Sequence, residues 1–166
     1  MRKRLAWIGS GVGVLALAIS LIAFPAASQT SPARTFTVCE KNQGGYDHHV
    51  DVGGKGFGPG DMLLESYALY NPKSGAKAGR VVATLHIVRL LGQHNALFRA
   101  DGTFFLQKGK IEVTGTGKFA SLRKGASFSI IGGTRIWNQA HGTMLAKVGR
   151  CAGSRGTRFT FNAITG

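Results

Sequence analysis

The sequence predicts an all-β protein, most simply an eight-stranded antiparallel barrel behind an N-terminal leader. Three observations carry this. Eight β-branched or aromatic runs follow one another at short spacing with glycine- and asparagine-rich turns between them, and no long helical period interrupts them. The two cysteines, Cys39 and Cys151, fall late in the first run and just before the last. The last run alternates Phe159, Phe161 and Ala163 against Arg158, Thr160 and Asn162, which is the period of a half-buried strand.

The leader comes first. MRKR is positive, LAWIGSGVGVLALAISLIAF is apolar and PAAS supplies small residues, the order of a secretory signal peptide over residues 1–28, with cleavage after Ala27 or Ser28. The apolar run is also about 20 residues long, enough to span a bilayer, so an uncleaved membrane anchor is the alternative. Residues 29–33 (QTSPA) read as a short disordered arm, and residues 34–166 as one domain, long enough for a sizeable core. Losing Arg2, Lys3 and Arg4 with the leader lowers the formal charge from +14 to +11. That balance favours anionic envelope polymers as partners, and secretion is the expected localisation. The basic residues are scattered, with no run of five, so nucleic acid is not expected as a partner.

The strands follow in order. Arg34–Lys41 alternates Phe36 and Val38 with threonines, residues 42–60 read as a glycine-rich loop, and residues 61–71 form a strand ended by Asn71-Pro72. Residues 80–91 are long and β-branched. Residues 96–106 and 110–115 pair about the turn QKG, and 127–131 and 142–148 flank a glycine-rich hairpin. Residues 157–164 close the chain. A sandwich would leave edge strands to protect, whereas a closed barrel leaves none. If the first and last strands pair antiparallel, Cys39 meets Cys151, and a disulfide there staples the seam, as an even cysteine count in an exported chain suggests. Free thiols or a metal pair are the alternatives, and neither has a CxxC neighbourhood.

An eight-stranded barrel has room inside for side chains or one small ligand. Ionisable groups at inward positions are costly unless paired or functional. Glu65 and Tyr67 share a face with Leu63 and Leu69; Arg89 shares one with Leu85 and Ile87. With Phe159 and Phe161 these make Glu65, Tyr67, Leu85 and Arg89 the candidate ligand-lining set. His86 and Glu112 have the opposite parity and are expected outside, Glu112 near Lys110. Asp47-His48-His49-Val50-Asp51 has metal-ligand residue types, but adjacent histidines on a loop rarely converge, so these read as surface residues. GGKGFGPGD lacks the ending of a phosphate loop, and there is no GxSxG. No metal or cofactor is expected.

The stretch IIGGTRIWNQAHGTM resembles the glycine hairpin of the allene oxide cyclase barrel family, which is related to plant dirigent proteins. The matching residues are Gly132-Gly133-Thr134, Ile136, Trp137, Ala140, His141 and Gly142. GKIEVTG, with Ile111, Val113 and Gly115, is similar to a second family segment. Gly60-Asp61, opening a strand that ends at Leu69-Tyr70, and Glu40-Lys41-Asn42 are a third and a fourth. The glycine pair also marks a bulge or bend on physical grounds, and Trp137, Asn138 and Gln139 read as a hairpin tip or rim, with a ligand-facing Trp137 as the alternative.

The resemblance implies a barrel that holds a reactive hydrophobic molecule and steers its cyclisation or coupling, an isomerase-like role achieved by positioning and preorganised electrostatics. It implies Glu40 as the electrostatic carboxylate and Asn42 as the holder of an ordered water, an amide being able to donate and accept. Tyr67 stands where the cyclases have an asparagine, and the segment after the first strand lacks their serine-proline. A non-catalytic carrier or envelope-polymer-binding module is the alternative. The family's trimeric assembly makes a homotrimer one expectation.

Overall fold

The computed structural model describes residues 32–41, 45–92 and 95–166. The expected signal peptide, most of the arm, and Asn42 lie outside the described residues.

Nine strands make up most of the described chain: β1 (Arg34–Lys41), β2 (Tyr46–Val50), β3 (Met62–Tyr70), β4 (Lys77–Gly92), β5 (Asn95–Leu106), β6 (Gly109–Lys118), β7 (Ala126–Gly133), β8 (His141–Cys151) and β9 (Ser154–Ile164). Two short 3-10 helices, Phe119–Arg123 and Arg135–Trp137, join β6 to β7 and β7 to β8. From β3 to β9 each strand pairs antiparallel with the next. β1 closes the sheet: it pairs with β9 from Arg34↔Ala163 to Lys41↔Gly156, and with β3 at Cys39↔Tyr70 and Glu40↔Leu69. The result is a closed eight-stranded antiparallel barrel, as expected, with β2 as an additional strand.

β2 corrects the sequence reading, which placed residues 42–60 in a loop. It pairs with β3 from Tyr46↔Ser66 to Val50↔Met62, so β1 and β2 occupy successive stretches of the same β3 edge. YDHHV has no apolar alternation of its own; the unpaired donors and acceptors of β3 supply the reason for it to be extended.

The expected disulfide forms. Cys39 and Cys151 are bonded, their Cα atoms 5.6 Å apart and both side chains fully buried. Cys151 ends β8, so the bridge ties β1 to β8 beside the seam that β9 fills.

The barrel interior is unevenly filled. Toward the end where β1 begins, Phe36 stacks on Phe161 at 4.7 Å and lies 5.0 Å from Trp137, while Phe104 meets Phe159 and Phe161 edge-on at 5.0 Å. Such aromatic pairs add to the burial of their own area. Trp137 is buried, not at an exposed tip, while Arg135, Ile136, Asn138 and Gln139 around it are exposed. The glycine pair does mark a bulge. Val113 pairs with Ile130 and Glu112 with Gly132, so Ile131 is the extra residue, and it is 59% exposed. Toward the other end, inward positions of β5 and β6 are small (Ala100, Gly102, Gly115), and the barrel is hollow.

Candidate functional site

The hollow half is a cavity of about 410 Å³. Its walls are apolar: Val81, Ala83 and Leu85 from β4, Phe98 and Phe104 from β5, Val113 from β6, Phe128 from β7, Met144 and Ala146 from β8, and Phe159 from β9, with Phe119 and Leu122 from the 3-10 helix. One side is different. Glu40 from β1, Asp47 from β2, Glu65 and Tyr67 from β3, and Thr157 from β9 all line it.

The strand register explains the convergence. Asp47 is the direct partner of Glu65, and Glu40 that of Leu69 and Thr157. The Tyr67 hydroxyl donates a hydrogen bond to the Asp47 carboxylate. Gly45 lets that arrangement form, since a Cβ built there would fall 1.8 Å from a Tyr67 ring carbon.

The electrostatics follow from burial beside like charge. Desolvation, then Asp47 and Glu40, push the Glu65 carboxyl up to about 7. The Glu40 carboxyl is also raised, chiefly by burial, with the Thr157 hydroxyl and backbone N–H opposing the shift and Asp47 adding to it. Burial, the Asp47 hydrogen bond and the nearby carboxylates hold the Tyr67 phenol protonated well above its usual range. Glu40 is only 5% exposed, and its Oε2 has no protein hydrogen-bond partner. A carboxyl that is part protonated near neutral pH can give or take a proton, and an ionised one can steady developing positive charge.

The rim is built around a different carboxylate. Asp61 is fully buried and accepts hydrogen bonds from the backbone N–H groups of Val52 (3.0 Å) and Gly58 (2.8 Å), with His49 Nε2 at 2.8 Å. The Val52 and Gly58 N–H groups first, then His49, hold its carboxyl down to about 2. The Asp61 carboxylate thereby fixes the loop of residues 51–61 against β2. Phe57 from that loop lies 5.7 Å from His49 and 6.1 Å from Phe119 at the cavity wall.

Of the sequence candidates, Glu40, Glu65, Tyr67, Leu85 and Phe159 stand on the cavity. Asn42 lies outside the described residues. Phe161 points inward but is deeper, fully buried in the aromatic stack and behind the cavity wall. Arg89 is a correction. β4 bulges at Val88, because Ile87 pairs with Phe98 and Arg89 with Leu97; parity is reset, and Arg89 is exposed on the outside. Asp47 and His49, taken from sequence as loop surface, are the residues missed. Phe98, Phe128 and Met144 were also missed, although Phe128 and Met144 sit at alternating positions of their strands and were legible as inward-facing.

No protein-family model matches the sequence, and no curated protein is significantly similar to it. Solved structures do match. The chain is similar to pyocyanin demethylase (TM-score 0.63, 20% identity, covering 78% of this chain and 99% of that one). It is also similar to the Diels Alderase AbmU from Streptomyces koyangensis (TM-score 0.61, 16% identity, 84% and 72%) and to a pterocarpan synthase dirigent protein (TM-score 0.62, 12% identity, 93% and 99%). Identities this low establish a shared barrel fold with these proteins, and nothing finer.

Proposed function

We propose that this barrel, of the allene oxide cyclase and dirigent type, binds a hydrophobic small molecule in its lumen and steers its cyclisation or coupling. The observation that carries the reading is the meeting of Glu40, Glu65 and Tyr67 at one side of an otherwise apolar cavity. Burying acids is costly, and guiding a reactive molecule needs a shaped apolar wall and a few fixed charges, which this cavity supplies. Glu40 is the electrostatic carboxylate that faces developing positive charge. Glu65, titrating near neutral pH, is the proton carrier. Asn42, two residues beyond Glu40, is the water holder. Solved barrels of this fold whose names state a cyclisation or a synthase role support the reading.

Export is part of the same proposal. The leader acts as a signal peptide, and the buried disulfide supports an oxidising compartment.

The test is stereochemical. Neutral substrates whose closure or coupling creates a stereocentre, such as an allene oxide methyl ester generated in place or a pair of phenoxyl radicals, are incubated with the protein and resolved on a chiral column. An enantiomeric excess that Glu40→Gln abolishes supports guided chemistry. Racemic product throughout, with ligand binding intact, leaves a carrier and overturns the catalytic half of the reading.

A further inference from the structure

The chain has 21 Lys and Arg residues against only seven Asp and Glu. Three of those seven, Glu40, Asp47 and Glu65, face one cavity, and among the described residues no Lys, Arg or His lines it. The protein is thus basic outside and acidic in its lumen. Glu40 sharpens the point: its side chain is 5% exposed, it faces the cavity, and its Oε2 is unpaired by any protein donor. A buried carboxylate oxygen without a partner is costly, and a partner that enters the cavity removes that cost.

We propose that the lumen selects a hydrophobic organic cation, a protonated amine or a quaternary nitrogen, with the nitrogen held between Glu40 and Glu65 and the apolar body against Phe98, Phe104 and Phe128. This rests on the reading of the lumen as a ligand site and adds the class of ligand. An anionic ligand meets three carboxyl groups of its own sign. A neutral one can at most donate a hydrogen bond to the Glu40 oxygen and leaves its charge uncompensated. A metal ion does not fit, since among the described residues no three His, Cys, Asp or Glu side chains are placed to share one.

Affinity depends on pH. The groups facing Glu65 are Asp47 on β2, Glu40 on β1 and Tyr67 on its own strand, and its β4 partner is the uncharged Ala83. The Glu65 carboxyl, raised to about 7, must lose its proton to pair with a cation. Binding therefore tightens as pH rises from 6 to 8.

The experiment uses the full chain and three probes of equal length below their micellar concentrations: decyltrimethylammonium, decanol and decanoate, titrated calorimetrically. The cation is expected to bind about tenfold or more tighter than either of the others. Glu40→Gln and Glu65→Gln are each expected to reduce that preference by about tenfold, the loss falling on the cation rather than on decanol. Decanol binding as tightly as the cation, or decanoate binding most tightly, overturns the cation inference and leaves the ligand site standing. A cation affinity untouched by both substitutions overturns it too, placing the cation elsewhere. Binding of none of the three probes removes the lumen reading itself, and the inference with it.

Discussion

Asp47 and Glu65 stand directly opposite each other on the antiparallel pair β2–β3, two acids face to face in a chain whose formal charge is +14. Like charges in that position destabilise a sheet. The Tyr67 hydroxyl relieves Asp47 by donating to it, and Glu65 is relieved by keeping its proton to about pH 7. The pair is a local conflict between fold and charge, and such conflicts gather at functional sites.

Glu65→Gln tests that conflict. The folded-state Glu65 carboxyl titrates near 7 rather than the usual 4.5, so its contribution is fully present below about pH 4.5 and is lost as pH rises through 7. Glutamine imitates the protonated form at every pH. Chemical denaturation is expected to find the variant as stable as the parent at pH 4.5 and more stable at pH 8, by up to about 3 kcal/mol. A constant difference across that range would show that Glu65 is not desolvated.

Asp61→Asn acts at the rim with the opposite sign. The Asp61 carboxyl is held near 2 against an ordinary 3.8, so its support exists above about pH 4 and disappears as pH falls toward 2. The variant is expected to show faster hydrogen exchange at the Val52 and Gly58 amides and a lower Tm at pH 7. The Tm gap should close as the sample is acidified. Unchanged exchange at both amides would mean the loop is held by something other than this carboxylate.

Replacing Cys39 and Cys151 by alanine opens a bridge that spans 112 residues of sequence. In the chain-entropy account a loop that long is worth about 4–5 kcal/mol. A fall in Tm of about 10 °C or more is expected by differential scanning calorimetry. A fall of only a degree or two would place the stabilisation in the β1–β9 ladder alone.

Gly132 and Gly133 are neighbours with different jobs. A Cβ on Gly133 would lie 2.5 Å from the Trp137 carbonyl oxygen and 2.6 Å from that of Lys110, whereas on Gly132 its nearest neighbour is Glu112 Oε2 at 3.8 Å. Gly133→Ala is expected to cost about 1–3 kcal/mol in urea denaturation, and Gly132→Ala less than about 0.5 kcal/mol. Equal costs would show that the bulge, not close packing, selects both glycines.

The strands were largely legible because a half-buried strand writes its alternation into the sequence; Phe159, Phe161 and Ala163 fall on the inner face as read. The cysteine pairing was legible from strand order. Alternation gives the side of the sheet but not the depth along the barrel, so Phe161 was grouped with Phe159 although it packs behind the cavity. Alternation also fails after a bulge, which is how Arg89 came to be assigned inward while Val88, Arg89 and Leu90 are all exposed. Asp47 was illegible for another reason. Its place beside Glu65 depends on β2 docking on β3, and YDHHV carries no pattern that announces it. Glu40 was legible as an ionisable group at an inward position, since it continues the alternation of Phe36 and Val38; only its electrostatic role came through the resemblance.

The seam between β1 and β9 joins Arg34 to Ala163 and Lys41 to Gly156. The first strand to leave the ribosome therefore waits for the last. Until residues 154–164 are made, β1 has only its brief pairing with β3, and the growing sheet carries a free border at each side. Contacts so distant in sequence are slow to form. β1 and β9 each supply part of the cavity wall, Glu40 from one and Thr157 and Phe159 from the other, so the wall is incomplete until they pair. The lumen is closed in one step, when the first and last strands of the barrel meet.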